Sequence, residues 1–344
     1  MKLFYSQSVY SSKSSQKFLN CIFLFIVLFF NENANSIEIF SLEKNSTVVG
    51  NLSTVIVNEN ETVADMANRY KTGFQDLLIA NPDSHHWSPK KNTEYLIPSM
   101  YILPQAEYNG IILNLAELRL YFYIRGEDLY ENTKVITYPV GIGRLDWKTP
   151  LGETFIKNKV ANPTWFPPKS IIKEHEEMGK VLPRKVEAGP ENPLGKYALK
   201  LNVDGGYLLH GTNKKYGIGM MVSHGCIRLR NEDIETIYFN SKRGTKVKII
   251  NEPIKIGKFK DFLYMEVHAF NNQEVYSNNQ KNYLTTENIY KPVKPVMSFL
   301  ENNPEYEIDW KNVFKAYEES KGIPIIIGKK NSSKKNLAQA HSKK

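Results

Sequence analysis

Two short runs near the middle of the chain bring together residue types that can form and break an acyl bond. Residues 210–212 read His-Gly-Thr, and residues 223–228 read Ser-His-Gly-Cys-Ile-Arg. A cysteine thiolate is a strong nucleophile, and a nearby imidazole can both take its proton and lower the thiol pKa. We therefore predict Cys226 as a nucleophile, with His210 and His224 as the candidate bases.

Glycines beside these residues favour a reactive site over simple packing. Gly211 and Gly225 leave the backbone open to a ligand and let amide groups point outward as an oxyanion hole. The alternative is a buried, apolar Cys226 with histidines that belong to the core. The second cysteine, Cys21, lies in an N-terminal apolar run. Removal of that run would leave Cys226 as the sole thiol, with no partner for an internal disulfide.

The same donor set could hold zinc, since His210, His224 and Cys226 are all possible ligands. The spacing argues against it, because the chain has no Cys-x-x-Cys, His-Glu-x-x-His or His-x-x-Glu-His sequence. Residues 175–179 (His-Glu-Glu-Met-Gly) lack the second histidine and are interpreted as a solvated helix or loop. We predict no metal and no cofactor.

The two runs resemble the signature of the L,D-transpeptidase (YkuD-type) catalytic domain, in which His-Gly-Thr is followed by Ser-His-Gly-Cys and then by an Ile/Val-Arg-Leu/Met segment. Further blocks of that family are matched in the same order by residues 141–143, 149–152 and 192–195. Similarity to the enterobacterial periplasmic subgroup, which attaches the major outer-membrane lipoprotein to peptidoglycan or cross-links peptidoglycan stems, is carried by residues 161–165, 188–190 and 217–220.

The resemblance implies a role for each residue of the two runs. Cys226 corresponds to the nucleophile and His210 to the general base, whose ring is oriented in the family by the backbone carbonyl of the next residue. Ser223 and His224 are expected to shape the site, with Gly211 as a further supporting residue, and the amides around Gly225 and Cys226 are expected to stabilise the oxyanion.

Two further side chains are predicted to contact the substrate. Arg228 can pair with a stem carboxylate in a bidentate manner, and a structural ion pair is the alternative. Trp165 lies in a long proline-rich segment, residues 158–193, that could cover the cleft; a tryptophan that anchors this segment to the core is the alternative. Asn231 is predicted to cap a helix, since two acidic residues follow it.

The first 36 residues have the pattern of a secretory signal peptide, with lysines before an apolar run from Phe18 to Phe30 and small residues at Ala34 and Ser36. The run is shorter than the roughly 20 residues of a spanning helix, and Cys21 is not in a lipobox, so no stable membrane anchor is predicted. The formal net charge is +9, but the lysines are scattered and no nucleic-acid module is recognised. These features predict a periplasmic protein that meets anionic cell wall.

Residues 53–103 resemble a LysM-like domain, a small α+β module associated with the glycan of peptidoglycan. The predicted elements are a strand over 54–57, a helix from Thr62, a helix over 74–80 and a strand over 95–97. A lengthened loop with His85, His86 and Trp87 departs from the family pattern. Wall binding by this unit is expected, with a packing or spacer role as the alternative.

A mainly β catalytic domain is predicted over residues 109–250. A hairpin turned at Ala116-Glu117 is indicated by apolar residues that alternate from Leu118 to Ile124, and further short strands follow. The β-sandwich or barrel-like fold that the resemblance implies agrees with this. Residues 251–327 are predicted as a mixed C-terminal extension with helices near 293–300 and 310–320, and residues 328–344 as a basic disordered tail.

Together these features predict a peptidoglycan L,D-transpeptidase. By the resemblance, the thiolate attacks a tetrapeptide stem at the L-centre of meso-diaminopimelate, releases D-alanine and leaves a thioester that an amine resolves. The favoured acceptor is the C-terminal lysine of an outer-membrane lipoprotein; the diaminopimelate of a second stem and water are the alternatives. A non-catalytic wall-binding protein and a metal-dependent peptidase are the competing classes.

Overall fold

The computed structural model describes residues 39–85, 87–126, 133–144, 149–214, 216–268 and 286–331. The predicted signal peptide and most of the predicted basic tail lie outside these residues. Within them, no helix is both long enough and apolar enough to cross a membrane.

Strands outnumber helices in the described part of the chain. The strands are β1 (Ile39–Ser41), β2 (Val48–Gly50), β3 (Ser53–Ile56), β4 (Glu94–Ile97), β5 (Met100–Ile102), β6 (Gly110–Asn114), β7 (Arg119–Ile124), β8 (Lys134–Pro139), β9 (Ile142–Gly143), β10 (Gly152–Ala161), β11 (Tyr197–Leu201), β12 (Leu208–His210), β13 (Met221–Ser223), β14 (Ile227–Arg228), β15 (Lys246–Ile250), β16 (Ile254–Phe259), β17 (Phe262–Val267), β18 (Tyr306–Ile308) and β19 (Ile325–Lys330). The helices are α1 (Val63–Arg69), α2 (Phe74–Ala80), α3 (Lys169–Glu177), α4 (Asn231–Asn240), α5 (Thr286–Asn302) and α6 (Trp310–Glu319), with a 3₁₀ turn at Leu115–Glu117.

The catalytic domain is built on one curled sheet of nine strands, in the order β1-β8-β7-β6-β15-β10-β11-β12-β14, which forms a half-barrel. Its strands pair antiparallel except at β6–β15 and β12–β14, which are parallel. The sheet curves around an aliphatic core that includes Leu113, Leu120 and Ile227, all closed to solvent. The predicted mainly β, barrel-like fold is confirmed.

The β6–β7 hairpin is buried on both faces, which the alternating pattern did not predict. Leu120 and Phe122 face the main core as expected. The intervening Tyr121 and Tyr123 are buried too. They are covered by a second cluster that includes Leu42, Tyr101 and Leu103. The alternation of apolar residues along a strand shows which side chains share a face. It does not show whether the second face is exposed to water, because that depends on what packs against it.

The N-terminal unit has the predicted order of strand, helix, helix and strand. Helix α1 begins after Thr62, whose hydroxyl accepts a hydrogen bond from the Asp65 N–H while the Asp65 carboxylate accepts one from the Thr62 N–H. Helix α2 ends before Asn81, whose side-chain amide donates to the carbonyls of Leu77 and Leu96. Its assignment as a LysM-like domain stays a prediction.

Two buried arginines fasten this unit to the catalytic domain. Arg230 donates to the carbonyl oxygens of Ala67 and Thr72 at 2.8 and 2.7 Å. Arg119 on β7 pairs with Asp76 of α2 at 3.2 Å. Breaking one partner of a buried charge pair is costly. The unit is therefore held in a fixed position rather than only tethered.

The C-terminal residues form a second sheet, in the order β16-β17-β19-β18, packed with α5 and α6. Both helices occur where helical patterns are predicted. The prediction of a disordered tail from Gly328 is wrong at its start, because β19 continues through Lys330 and Gly328 pairs with Leu263 and Ile308. Strand pairing uses backbone groups, so a lysine-rich composition does not prevent it.

A buried ionic network joins this second sheet to the β6–β7 hairpin. Lys255 Nζ lies 2.7 Å from Glu117 Oε2 and 2.9 Å from Glu266 Oε1, and all three side chains are fully buried. Lys255 also donates to the Ile102 carbonyl, and His268 Nε2 lies 2.6 Å from Glu266 Oε1. The C-terminal segment is thus an integral part of the fold.

Candidate active site

The two motif runs meet at the edge of the nine-stranded sheet, where β12 and β14 pair in parallel. Leu209 lies opposite Ile227, and His210 lies opposite Arg228. Leu209 and Ile227 point into the core. Because side chains alternate along a strand, His210 and Arg228 point to the other face. Cys226 directly precedes β14, and its thiol is hydrogen-bonded to the Leu208 backbone on β12, so the fold brings the predicted nucleophile to the strand that ends in the predicted base.

The His210 ring is buried and oriented by the backbone. Its Nδ1 lies 2.6 Å from the Gly211 carbonyl oxygen, the contact that the resemblance implies. This carbonyl can only accept, so Nδ1 carries the proton and Nε2 is left as an acceptor. Burial lowers the His210 pKa to about 4, and the charge of Arg228 acts in the same direction. The ring is therefore neutral at neutral pH.

The Cys226 thiol is unpaired and partly buried. We expected a neighbouring imidazole to lower its pKa, but the thiol pKa is raised. Burial is the main cause, and a backbone hydrogen bond from Leu208 and the charge of Arg228 oppose it. At neutral pH the Cys226 thiol and the His210 imidazole are therefore both uncharged.

Two hydroxyls fix the turn that holds Cys226. Ser223 Oγ donates to the Cys226 carbonyl at 2.5 Å and accepts from the Gly225 N–H at 3.2 Å. Thr149 Oγ1 donates to the Gly225 carbonyl at 3.0 Å. Gly225 has φ of +97°, a conformation that side chains other than hydrogen strain. These contacts define the turn before Cys226, and Thr149 contributes to it although the sequence did not single it out; the site roles of Ser223 and Gly225 stay predictions.

The backbone amides predicted as oxyanion donors differ in their hydrogen bonds. The Gly225 N–H is used by Ser223, and the Gly211 N–H donates to the Tyr197 carbonyl at 3.1 Å. Within the described ranges, the Cys226 N–H donates to no carbonyl or side chain. Of the predicted oxyanion donors, the Cys226 amide is therefore the one without a hydrogen-bond acceptor among the described residues.

Arg228 and Arg230 are two positions apart but differ in their contacts. The Arg228 backbone pairs with Gly141 at 2.8 and 2.9 Å, while its partly buried guanidinium has no ion pair among the residues that the structure describes. Arg230 is instead used for domain contacts and lies 3.5 Å from Asp233. A structural ion pair, the alternative considered for Arg228, is thus not seen for Arg228 within the described chain, and its role in substrate binding stays a prediction.

Asn231 does not cap α4. The cap position is Arg230, and the Asn231 side chain instead donates to the Thr212 carbonyl at 2.8 Å and accepts from the Thr212 N–H at 3.2 Å. Residues at a helix start can differ by one position from the predicted boundary. The amide therefore holds the loop that follows His210, and a Cβ on Gly211 would lie 2.2 Å from its oxygen.

His224 contacts a residue that the sequence did not indicate. Its Nε2 is hydrogen-bonded to the carboxylate of Glu174 on α3, and Arg144 pairs with the same carboxylate at 2.8 Å. Hydrogen bonds from Arg144 and His224 lower the Glu174 pKa to about 2. The 158–193 segment thus reaches the nucleophile turn through α3. A single acidic residue in a charged helix gives no sequence signal of such a contact.

Trp165 lies in the same segment, before α3. Its backbone N–H and carbonyl both pair with Val186 at 2.8 Å, which closes the base of the segment. The ring is half-buried. A role of Trp165 in the substrate groove stays a prediction.

The possible zinc ligands are not grouped as a metal site. In the described residues, a cluster of three potential ligand atoms within 4.8 Å of one another occurs at Glu117, Glu266 and His268, and it does not include His210 or Cys226. Lys255 Nζ already supplies the cation in that cluster.

Comparison with known proteins identifies the family. Residues 108–249 match the family model described as the L,D-transpeptidase catalytic domain, YkuD. The Escherichia coli K12 protein named probable L,D-transpeptidase ErfK/SrfK is 34% identical over 313 residues, which cover 90% of this chain and 96% of that protein. Probable L,D-transpeptidase YbiS of the same strain is 39% identical over 248 residues, with 71% and 79% covered.

A third relative, probable L,D-transpeptidase YcfS of Escherichia coli K12, is 45% identical over 215 residues. That alignment covers 61% of this chain and 66% of YcfS. The chain belongs to the L,D-transpeptidase family and is an enzyme of that class.

Proposed function

We propose that the protein transfers peptidoglycan stem peptides through a thioester on Cys226. The observation that carries the proposal is the placement of the Cys226 thiol against the Leu208 backbone of β12, the strand that ends at His210, together with the hydrogen bond that holds His210 Nδ1 to Gly211. That arrangement provides a nucleophile, a base in a defined tautomer and a backbone carbonyl as orienting group.

In the first half-reaction, His210 Nε2 takes the Cys226 proton as Sγ attacks the carbonyl at the L-centre of diaminopimelate. The Cys226 N–H stabilises the developing oxyanion. Cleavage of the peptide bond releases D-alanine, whose amine receives the proton from His210. Because both groups rest neutral, no charge has to be buried before substrate arrives.

In the second half-reaction, an acceptor amine attacks the thioester carbon and gives its proton to His210. The C–S bond breaks, an amide forms and the thiolate recovers the proton. We favour the C-terminal lysine of an outer-membrane lipoprotein as acceptor, on the similarity to the lipoprotein-anchoring subgroup. A 3-3 cross-link to a second stem and hydrolysis by water use the same chemistry.

Arg228 is the residue that we propose for the substrate carboxylate. It is partly buried, lies directly opposite His210 and shares its face. A guanidinium without a protein counter-ion in the described chain can pair with a carboxylate in a bidentate manner. Trp165 is proposed to line the groove beside it.

The N-terminal unit is proposed to hold the enzyme on the wall, and the periplasm is the compartment that the N-terminal sequence pattern and the substrate indicate. A non-catalytic wall-binding protein is the competing function. It gives no reason for an oriented His210 beside a free thiol.

Product analysis tests the proposal. The full chain is incubated with a tetrapeptide muropeptide and, separately, with a lipoprotein C-terminal peptide or a second stem as acceptor. Release of D-alanine together with the lipoprotein-peptide adduct supports anchoring, and release with only the stem-to-stem product supports cross-linking. Intact donor under all conditions would contradict the transferase proposal.

A further inference from the structure

Helix α3 packs only partly against the rest of the protein. None of its nine residues is buried, and its N-terminal cap, Pro168, makes no side-chain hydrogen bond. A helix of this length is marginal without an apolar face in a core. Its position must therefore depend on its remaining side-chain contacts.

Glu174 provides such contacts, and they all lead to the nucleophile turn. Its carboxylate pairs with Arg144 at 2.8 Å and is hydrogen-bonded to His224. Arg144 in turn donates its backbone N–H to the Ser223 carbonyl at 2.9 Å. His224 and Ser223 are the residues that lead into Cys226. Glu174 thus joins α3 to the two residues, Ser223 and His224, that lie just before Cys226.

The carboxylate is ionised over the whole physiological range. Two donors hold the Glu174 pKa near 2, so its contacts are charge-assisted hydrogen bonds at any pH at which the protein works. Lys173 and Glu177 on the same helix are exposed and form an ion pair with each other, with 3.9 Å between Lys173 Nζ and Glu177 Oε1. Glu174 is therefore distinguished from its helical neighbours by where it points.

We propose that Glu174 is a positioning residue that latches α3 against the nucleophile turn and sets how the thioester is partitioned between an amine and water. The proposal rests on the thioester mechanism above. Both outcomes break the same C–S bond; the amine forms an amide and water forms a carboxylic acid. A closed site excludes water and favours the bound amine.

The test compares Glu174→Ala and Glu174→Gln with Glu177→Gln, a matched change at an exposed site of the same helix. Each full-length protein is acylated with a tetrapeptide donor, and the ratio of transfer to hydrolysis is measured at a fixed acceptor concentration. We expect Glu174→Ala to lower this ratio about tenfold or more, since small displacements of positioning groups have effects of that size. Glu174→Gln keeps the hydrogen-bonding shape and is expected to fall between Glu174→Ala and the wild type.

Two further measurements separate the outcomes. The melting temperature of each variant shows whether the change is only structural, because a loss of fold would lower transfer and hydrolysis together and leave their ratio unchanged. An unchanged ratio in Glu174→Ala, with the wild type acylated normally, would overturn the latch. A wild type that forms no thioester would instead contradict the proposed function itself.

Discussion

Two clusters of ionisable side chains in this protein each contain a histidine and a basic residue, but they differ in whether their charged groups are paired. In the buried network, Lys255 is paired with Glu117 and Glu266, and His268 contacts Glu266. At the sheet edge, Cys226 and His210 rest neutral, and Arg228 has no ion pair within the described chain. The charged groups of the first cluster are hydrogen-bonded to other protein groups. In the second cluster, His210 Nε2, the Cys226 thiol and the Arg228 guanidinium are the groups that we propose interact with a ligand.

The difference teaches how to separate a structural cluster from a chemical one. Burial alone does not distinguish the two kinds of cluster, because the side chain of His210 is nearly as inaccessible to solvent as that of Lys255. The useful criterion is whether each polar atom has a protein partner. A network with every charge paired contributes to the fold, whereas unfilled donors and acceptors on one face indicate a place for a substrate.

Removal of the base should give the largest effect. His210→Ala is expected to slow acylation by about a thousandfold, within the range for loss of a general base. The reason is that the variant loses the imidazole that the Gly211 carbonyl orients and that is proposed to take the Cys226 proton. The rate of thioester formation is measured by quenched mass spectrometry. His85→Ala, at an exposed loop, is the control and should leave the rate unchanged. A tenfold effect or less would remove His210 from its proposed role.

Disruption of the buried network should affect stability and not chemistry. Lys255→Met leaves two buried carboxylates without their cation and should lower the free energy of unfolding by about 3–5 kcal/mol. Lys246→Met removes an exposed pair with Glu107 and should leave the free energy of unfolding almost unchanged. Denaturant unfolding measures both. If Lys255→Met changed the free energy of unfolding no more than Lys246→Met does, the buried network would not have the structural role described above.

The two neighbouring arginines should separate binding from stability. Arg228→Met is expected to raise the donor KM about tenfold, the size of one lost charged hydrogen-bonding partner, with little change in melting temperature. Arg230→Met should instead lower the melting temperature, since it removes contacts to Ala67 and Thr72. Steady-state kinetics and thermal unfolding are measured on both variants. A lower melting temperature for Arg228→Met together with a raised donor KM for Arg230→Met would contradict the roles given to the two arginines.

The smallest effect concerns pH. His210 has a pKa of about 4 in the folded protein against an ordinary value near 6.5, so the unfolded state binds more protons between these values. The contribution of this group to stability therefore falls as the pH drops from about 6.5 towards 4. The acid limb of the acylation rate is expected near pH 4. A limb near pH 6.5 would show that the imidazole is not the buried, neutral group described above.

The site could be read from the sequence where its residues are contiguous. Cys226, Ser223 and Gly225 lie in one run, and His210 in a second run that β12 brings alongside it. The order of elements in the N-terminal unit was also predictable, because Thr62 and Asn81-Pro82 mark helix ends. Local signals of this kind depend on residues close together in the chain.

Features that depend on distant segments could not be read. Glu174 reaches His224 across 50 positions, and Lys255 reaches Glu117 across 138. Neither contact leaves a local pattern. The pKa directions of His210 and Cys226 follow from burial that only the folded sheet creates, which is why the expected lowering of the thiol pKa was wrong.

The central claim is that Cys226 forms a thioester with the stem peptide. Its most direct test is the intact mass of the purified chain after brief exposure to a tetrapeptide muropeptide, beside Cys226→Ala. A mass increase equal to the donor minus D-alanine, absent from the variant, is the predicted result. An unchanged mass with unconsumed donor, or the same adduct on Cys226→Ala, would contradict it.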